Sequence, residues 1–407
     1  MPVGNYDFPR SAYLHIPFCR RRCYYCDFPV FVLGDHKNGQ NSGTICQYVE
    51  ILCQEIRQSP PSGIPLETIF FGGGTPSLLS VAQLEQLLHT LDQQFGIATT
   101  AEISLEMDPG TFDLSQVQGY RQAGVNRISL GVQAFQDSLL QQCGRTHQVS
   151  DIYTAVEQVR QAGIENLSLD LVSGLPHQTL TDWQTSLEAA IALQPTHLSC
   201  YDLIVEPGTA FARSYEPGQT PLPPDEIAAQ MYRQAQITLT QAGYQHYEIS
   251  NYSWPGFECR HNRVYWEMGL YYGWGMGAAS YTQNTRFTRP RKTQEYYQWV
   301  QSGCPIDQPS LTCRDRLLET LMLGLRLSDG IHLQRIIQEF GIAPVAKIWQ
   351  GVSSYYQQGW VEILDPGGLS QFQLSKLPLD SCLRLQDPEG FLMSNRILAS
   401  LFEQFEV

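Results

Sequence analysis

The chain has 407 residues, 43% hydrophobic and 16% charged, which is the balance of a folded globular protein and not of a disordered or fibrous one. A net charge of −14 opposes attraction to phosphate backbones and anionic lipid surfaces, so no nucleic-acid partner is expected. No run reaches the roughly 18 apolar residues of a membrane helix, and Met1–Arg10 lacks the apolar core of a secretory signal, so the expected location is the cytoplasm without an integral membrane segment.

Six short apolar or alternating runs read as strands: Tyr13–Pro17, Thr68–Phe71, Glu102–Met107, Asn126–Val132, Asn166–Val172 and His197–Leu203. Between them, segments such as Val81–Phe95, Asp151–Ala162 and Asp182–Leu193 place apolar residues three and four apart, as amphipathic helices require. Strands alternating with helices imply a parallel sheet, because parallel neighbours need crossover connections. Six units fall short of a closed eight-stranded barrel. The expected fold class is therefore α/β, a partial (β/α)6 TIM-like barrel over residues 1–215.

Each strand ends in reactive or conformationally special residues. His15 and a cysteine cluster follow the first, Gly72, Gly73, Gly74 and Thr75 the second, and Glu106 and Asp108 close the third. Gln133 follows the fourth, and Asp170 and Gly174 mark the fifth. Sites in α/β barrels sit at the C-terminal strand ends, so these residues should converge on one face.

A proline-rich break at Pro217–Pro224 opens a connecting segment, 216–310, with a helix expected over Asp225–Ala242, a strand-like run at Tyr244–Ile249 and a block rich in Trp, Tyr and Gly at Cys259–Gly277. From 311 to 407 the pattern is mostly helical, at Arg314–Leu325, Leu333–Phe340, Val345–Gln358 and Gly390–Phe405, which suits a smaller C-terminal domain.

Cys19, Cys23 and Cys26 form C-x3-C-x2-C directly after the first strand. Three closely spaced thiolates can hold three corners of a [4Fe–4S] cluster and leave the fourth iron open to an external ligand. Structural zinc is the rival, and its fourth ligand would have to come from His15 or Cys46. Arg20, Arg21 and Arg22 lie between the first two cysteines, either to offset thiolate charge or as a solvated face. The remaining eight cysteines read as small buried hydrophobes.

The wider context of that triplet resembles a known family. Tyr13–Cys19 (YLHIPFC), Phe71–Pro76 (FGGGTP), Ser104–Pro109 (SLEMDP), Leu130–Phe135 (LGVQAF), Gly144–His147 (GRTH) and Asp170–Pro176 (DLVSGLP) are similar to segments of the oxygen-independent coproporphyrinogen III oxidase family, within the radical SAM superfamily. The resemblance implies a (β/α)6 radical SAM barrel with a helical C-terminal domain, a [4Fe–4S] cluster on Cys19, Cys23 and Cys26, and S-adenosylmethionine on its open iron. It further implies that Tyr13 and Tyr25 line the cluster and adenine region, that Gly73, Gly74 and Thr75 hold the methionyl group, and that Glu106, Gln133, Arg145 and Asp170 contact the cofactor. An electron donor would be a partner if the cluster is redox active.

Two activities occur in that family. Its oxidases decarboxylate two propionates of coproporphyrinogen III and carry a fourth cysteine two residues after the third; here that position is Phe28. The other branch, the HemW-type haem chaperones, matches both this departure and the H-N-x-x-Y-W motif found at His261–Trp266. That branch implies haem as a ligand and haem-accepting proteins as partners, with His261 as a haem ligand and Tyr265 and Trp266 as the wall of its site. Met276 is a weaker candidate for a second haem ligand, and His15 and His147 suit either cofactor contact or structural hydrogen bonding. An oxygen-independent coproporphyrinogen III dehydrogenase that dispenses with the fourth cysteine is the alternative, and whether S-adenosylmethionine is cleaved is left open.

Overall fold

The computed structural model describes residues 8–368 and 376–405. Six parallel strands stand side by side in chain order: β1 Ser11–Ile16, β2 Leu66–Gly73, β3 Ile97–Met107, β4 Arg127–Gln133, β5 Asn166–Ser173 and β6 His197–Asp202. Helices fill the crossovers: α1 Gly43–Gln58, α2 Val81–Phe95, α3 Leu114–Ala123, α4 Asp137–Gln142, α5 Val149–Gln161 and α6 Leu180–Ala192. This is the α/β partial barrel expected from the alternation of patterns.

Local chemistry fixes the helix ends. Ser80 and Gln83 form a reciprocal capping box that starts α2, and Gly96 ends it at φ 76°. The α3 start is capped by Asp113 on the Gln116 N–H at 2.9 Å. Helix α1 had not been expected, yet its buried Ile45, Tyr48, Val49, Leu52, Cys53 and Ile56 repeat at helical spacing. These side chains join Leu14, Ile69, Leu105, Leu130 and Leu169 in one apolar core between sheet and helices.

The sheet does not stop at the sixth strand. Tyr272–Trp274 adds a parallel strand beside β1, with Ala12 opposite Tyr272, and Asn251–Ser253 pairs antiparallel with β6, followed by Gln245–Glu248. Among the described residues the sheet therefore has nine strands, and the segment after β6 supplies both edges. A buried ionic cluster ties this segment to α1. Glu55, 1% exposed, accepts from Arg289 Nε at 2.7 Å, Tyr296 OH at 2.7 Å and Gly275 N at 2.9 Å. Tyr296 belongs to α10 (Thr293–Gln301), which follows α7 (Ala210–Ser214), α8 (Asp225–Gln241) and α9 (Arg260–Trp266).

A second apolar core forms around α11 (Cys313–Gly324), α12 (Leu333–Phe340) and α13 (Ala343–Gln357). Where one helix was expected over Gly390–Phe405, the chain makes α14 (Glu389–Leu392) and α15 (Ser394–Glu403), broken at Met393. Three short strands, Ile331–His332, Val361–Leu364 and Cys382–Leu385, were also not expected; at two to four residues they are too short to show alternation. Arg233 of α8 clamps Glu389 through two bonds, at 2.6 and 2.8 Å, which joins this unit to the barrel. Among the described residues no helix is long and apolar enough to cross a membrane.

Candidate cofactor site

The cysteine loop leaves β1 at its C-terminal end and is held from several sides. Phe18–Cys19 pairs with Phe31–Val32, the Leu33 N–H bonds Cys19 O at 2.9 Å, and the Tyr24 N–H reaches Cys143 O at 3.0 Å. The intervening arginines brace backbone and not sulfur: Arg20 donates to Gly110 O at 2.8 Å, Arg22 to Cys26 O at 3.2 Å, and Arg21 pairs with Asp35 at the exposed surface. All three thiols are partly accessible.

Around this loop the strand ends converge. Arg145 lies between Cys23 Sγ, at 3.4 Å, Gly131 O, at 2.8 Å, and the Asp108 carboxylate. Asp108 also accepts from Thr75 Oγ1 at 2.8 Å, so one carboxylate links the second, third and fourth strand ends. Asp108 had been noticed as a strand-end acid but not chosen as a site residue; the pairing with Arg145 is what gives it that place. Gln133 sits at φ 70° in a bulge of β4, and its amide shares the space above Gly131 with Asp108 and Arg145. Such a left-handed conformation at a non-glycine residue costs of order 1–3 kcal/mol and is typical of functional turns.

Glu106 accepts the Gly73 N–H at 2.9 Å. Burial pushes its carboxyl up to about 8, with Asp170 and Asp108 adding to the effect against the opposing Gly73 bond. Asp170 is also raised by burial, although the Ser129 and Ser168 hydroxyls bond to it. Tyr13 borders the same space beside Glu106 and Gly72, and Tyr25 packs against Phe211. The glycine run has a packing cause. A Cβ on Gly73 would stand 2.4 Å from the His15 ring, and one on Gly74 2.7 Å from Phe18 O. These glycines let β2 approach the end of β1.

His15 and His147 serve the framework. His15 bonds Tyr13 OH at 3.1 Å and Pro29 O at 3.0 Å, and His147 bonds Val132 O at 3.2 Å. Burial lowers each to about 4, so both are neutral at pH 7.

The H-N-x-x-Y-W motif lies elsewhere, on α9. His261 is 1% exposed and points into the barrel, where its ring stacks on Phe70. Its Nδ1 meets Thr68 Oγ1 at 2.8 Å and its Nε2 meets Tyr265 OH at 2.8 Å. Burial, helped by nearby Arg127, brings its pKa down to about 3. A neutral imidazole has one donor and one acceptor, and both are used. In this conformation His261, expected as a haem ligand, is buried with both ring nitrogens engaged within the protein. Tyr265 is committed to His261, and Arg326 lies over the Trp266 ring, 5.7 Å from its centre. Met276 is 2% exposed and accepts from Thr293 Oγ1 at 3.4 Å.

Comparison with known proteins places this arrangement. The radical SAM superfamily model matches residues 13–190 and the HemN C-terminal domain model matches 311–369. Over 412 aligned positions the chain is 48% identical to Heme chaperone HemW of Synechocystis sp., covering 100% of this chain and 99% of that protein. The chain belongs to the HemW family. Heme chaperone HemW of Escherichia coli is 37% identical across 82% of this chain and 87% of its own length. The solved coproporphyrinogen III oxidase HemN of Escherichia coli, described as a radical SAM enzyme, superposes with a TM-score of 0.80 over 97% of this chain and 90% of that one, at 23% identity, and so shares the fold.

Radical SAM membership implies an iron–sulfur cluster and S-adenosylmethionine, and the residues of this HemW-family chain suit both. Two buried carboxylates held above their ordinary range, Glu106 and Asp170, face a space that a sulfonium and an ammonium would fill with positive charge. A closed zinc site suits the chain less well. Both nitrogens of His15 are engaged, and Cys46 is exposed and meets Gln83 Nε2.

Proposed function

We propose that the chain is a haem chaperone of the cytoplasm that carries a [4Fe–4S] cluster and S-adenosylmethionine at its barrel mouth and passes haem to acceptor haemoproteins. The likeness to proteins named Heme chaperone HemW, full-length in the Synechocystis case, carries this reading. Phe28 agrees with it, since it stands 54% exposed where the oxidases resembled by this chain have a fourth cysteine. Eleven free cysteines with no disulfide suit a reducing compartment.

Cys19, Cys23 and Cys26 would hold the cluster, and Arg145 beside Cys23 would offset thiolate charge. When bound, the cluster and its sulfonium cofactor supply one-electron chemistry, fed by an electron-donor partner. Gly73, Gly74 and Thr75 shape the methionyl end, Glu106 and Asp170 set the negative field for a cation, and Gln133 and Arg145 fix its orientation. Tyr13 and Tyr25 line the neighbouring walls.

The test uses anaerobically reconstituted full-length protein. Given coproporphyrinogen III, S-adenosylmethionine and a reductant, it should form no protoporphyrinogen; given haem, it should show a stoichiometric Soret change and transfer that haem to an apo-haemoprotein. Porphyrinogen turnover, or failure to bind haem, overturns the proposal.

A further inference from the structure

A single file of hydrogen bonds leads from the cofactor pocket into the barrel. Asp170 accepts from Ser168 Oγ at 3.3 Å, Ser168 Oγ meets His197 Nδ1 at 2.8 Å, His197 Nε2 meets Tyr247 OH at 2.8 Å, and Tyr247 OH accepts the Cys259 N–H at 3.3 Å. Cys259 caps the start of α9, so the file joins the helix of the His261–Trp266 motif to a carboxylate of the pocket. Ser168 and His197 are fully buried and Tyr247 is 4% exposed, so bulk water does not compete for these groups.

Proton counting gives the file a direction. Tyr247 already receives the Cys259 N–H, and its one hydroxyl proton goes to His197 Nε2. Burial, with Arg127 nearby, drives the His197 pKa well below its ordinary value, so the ring is neutral and carries one proton. With Nε2 accepting, that proton sits on Nδ1 and is donated to Ser168 Oγ, which leaves the Ser168 proton for Asp170. The other tautomer would turn the Ser168 proton away from Asp170 and strand the Tyr247 proton, a costly loss for a buried donor.

This direction matters to the pocket. Ser129 bonds both Asp170 oxygens at 2.9 Å, and Ser199 bonds the same carboxylate. A serine hydroxyl free to rotate can donate to a carboxylate or accept from a carboxylic acid, and so suits either form. Ser168 is different, because the His197 N–H fixes it as a standing donor. A standing donor favours the acceptor-only form of Asp170, which suits a cation or a donating hydroxyl.

We propose that His197 is a positioning residue for the S-adenosylmethionine pocket: with its tautomer set by Tyr247, it holds the Ser168 hydroxyl as a donor and so keeps Asp170 an acceptor aimed at the cofactor. The proposal rests on the assignment of Asp170 to that pocket. His197 itself acts through Ser168.

The experiment measures S-adenosylmethionine affinity of anaerobically reconstituted full-length protein by calorimetry, with iron content and urea unfolding followed for each variant. His197→Asn puts an amide where Nδ1 stands and can still donate to Ser168; His197→Gln reaches the place of Nε2 instead. His197→Gln and Tyr247→Phe should each weaken binding about tenfold, the worth of one hydrogen bond to a charged group, while His197→Asn stays within about threefold of wild type. Because Tyr247 acts through the tautomer, adding Tyr247→Phe to His197→Asn should cost no further affinity, a non-additivity that general loosening of the packing would not produce. Affinity in His197→Gln equal to wild type, a loss in His197→Asn as large as in His197→Gln, or a full Tyr247→Phe effect in the His197→Asn background each overturns the proposal. Should His197→Gln fold poorly, Tyr247→Phe alone and combined with His197→Asn gives the same decision. If wild type binds no S-adenosylmethionine, or binds it no better than Asp170→Asn does, the assignment of the pocket or of Asp170 to it falls first and takes the role of His197 with it.

Discussion

Replacing Glu106 with Gln should stabilise the protein without cofactor and weaken its hold on S-adenosylmethionine. The buried carboxyl titrates near 8 instead of the ordinary 4.5. A raised carboxyl pKa favours the folded state fully below pH 4.5, and that contribution is lost as pH climbs to about 8, because the unfolded chain ionises first. At pH 7 the difference spans about 2.5 pH units, or roughly 3 kcal/mol at 1.36 kcal/mol per unit. Gln keeps an oxygen for the Gly73 N–H and never ionises, so Glu106→Gln should exceed wild type in stability by up to that amount at pH 7 and by nothing below pH 4.5. A bound cation favours the ionised acid, so wild type should release a proton when S-adenosylmethionine binds near pH 7. Urea unfolding across pH measures the first effect, and calorimetry of the reconstituted protein in buffers of different ionisation enthalpy measures the second. Equal stability at pH 7, together with cofactor binding that releases no proton, would refute the assignment of Glu106 to the cation field.

Other substitutions test separate parts of the structure. Glu55→Gln leaves Arg289, 3% exposed on its side chain, without a full countercharge, and should cost about 3–5 kcal/mol in denaturant unfolding. Arg233→Ala removes a two-pronged but half-exposed pair with Glu389 and should cost only about 0.5–1 kcal/mol, read as a small shift in thermal midpoint. Serine at Cys19, Cys23 or Cys26 should abolish the broad brown absorption of reconstituted protein and its iron content, measured by metal analysis. His261→Ala should lower stability by about 1–3 kcal/mol through the orphaned Thr68 and Tyr265 hydroxyls, read by denaturant unfolding.

Much of the barrel could be read from the chain because its strands are short apolar runs ending in distinctive residues. Val81–Phe95 and Leu333–Phe340 agree with the expected bounds residue for residue. The convergence of Thr75, Glu106 and Gln133 followed from the rule that barrel sites gather at C-terminal strand ends, whereas Arg145 came only from the family resemblance. What stayed hidden was long-range pairing. Nothing local in Tyr272–Trp274 announces that it will lie beside β1, and nothing in the sequence of α9 says which of its faces turns inward. The motif His261–Trp266 looked like a ligand set because its residue types suit haem; that His261 would pack on Phe70 and bond Thr68 could not be read from the motif. Asp108 was visible but underrated, since its importance comes from Arg145, 37 residues away.

The pairing of Ala12 with Tyr272 has a bearing on biosynthesis. At about 5–20 residues per second, the ribosome needs roughly 13–50 s to deliver the partner that seals the outer side of the first strand. For that interval a nascent chain already rich in apolar strands presents raw hydrogen-bonding groups to its surroundings. Fragments ending near residue 215 would keep both flanks of the sheet uncovered permanently, and self-association is their expected fate.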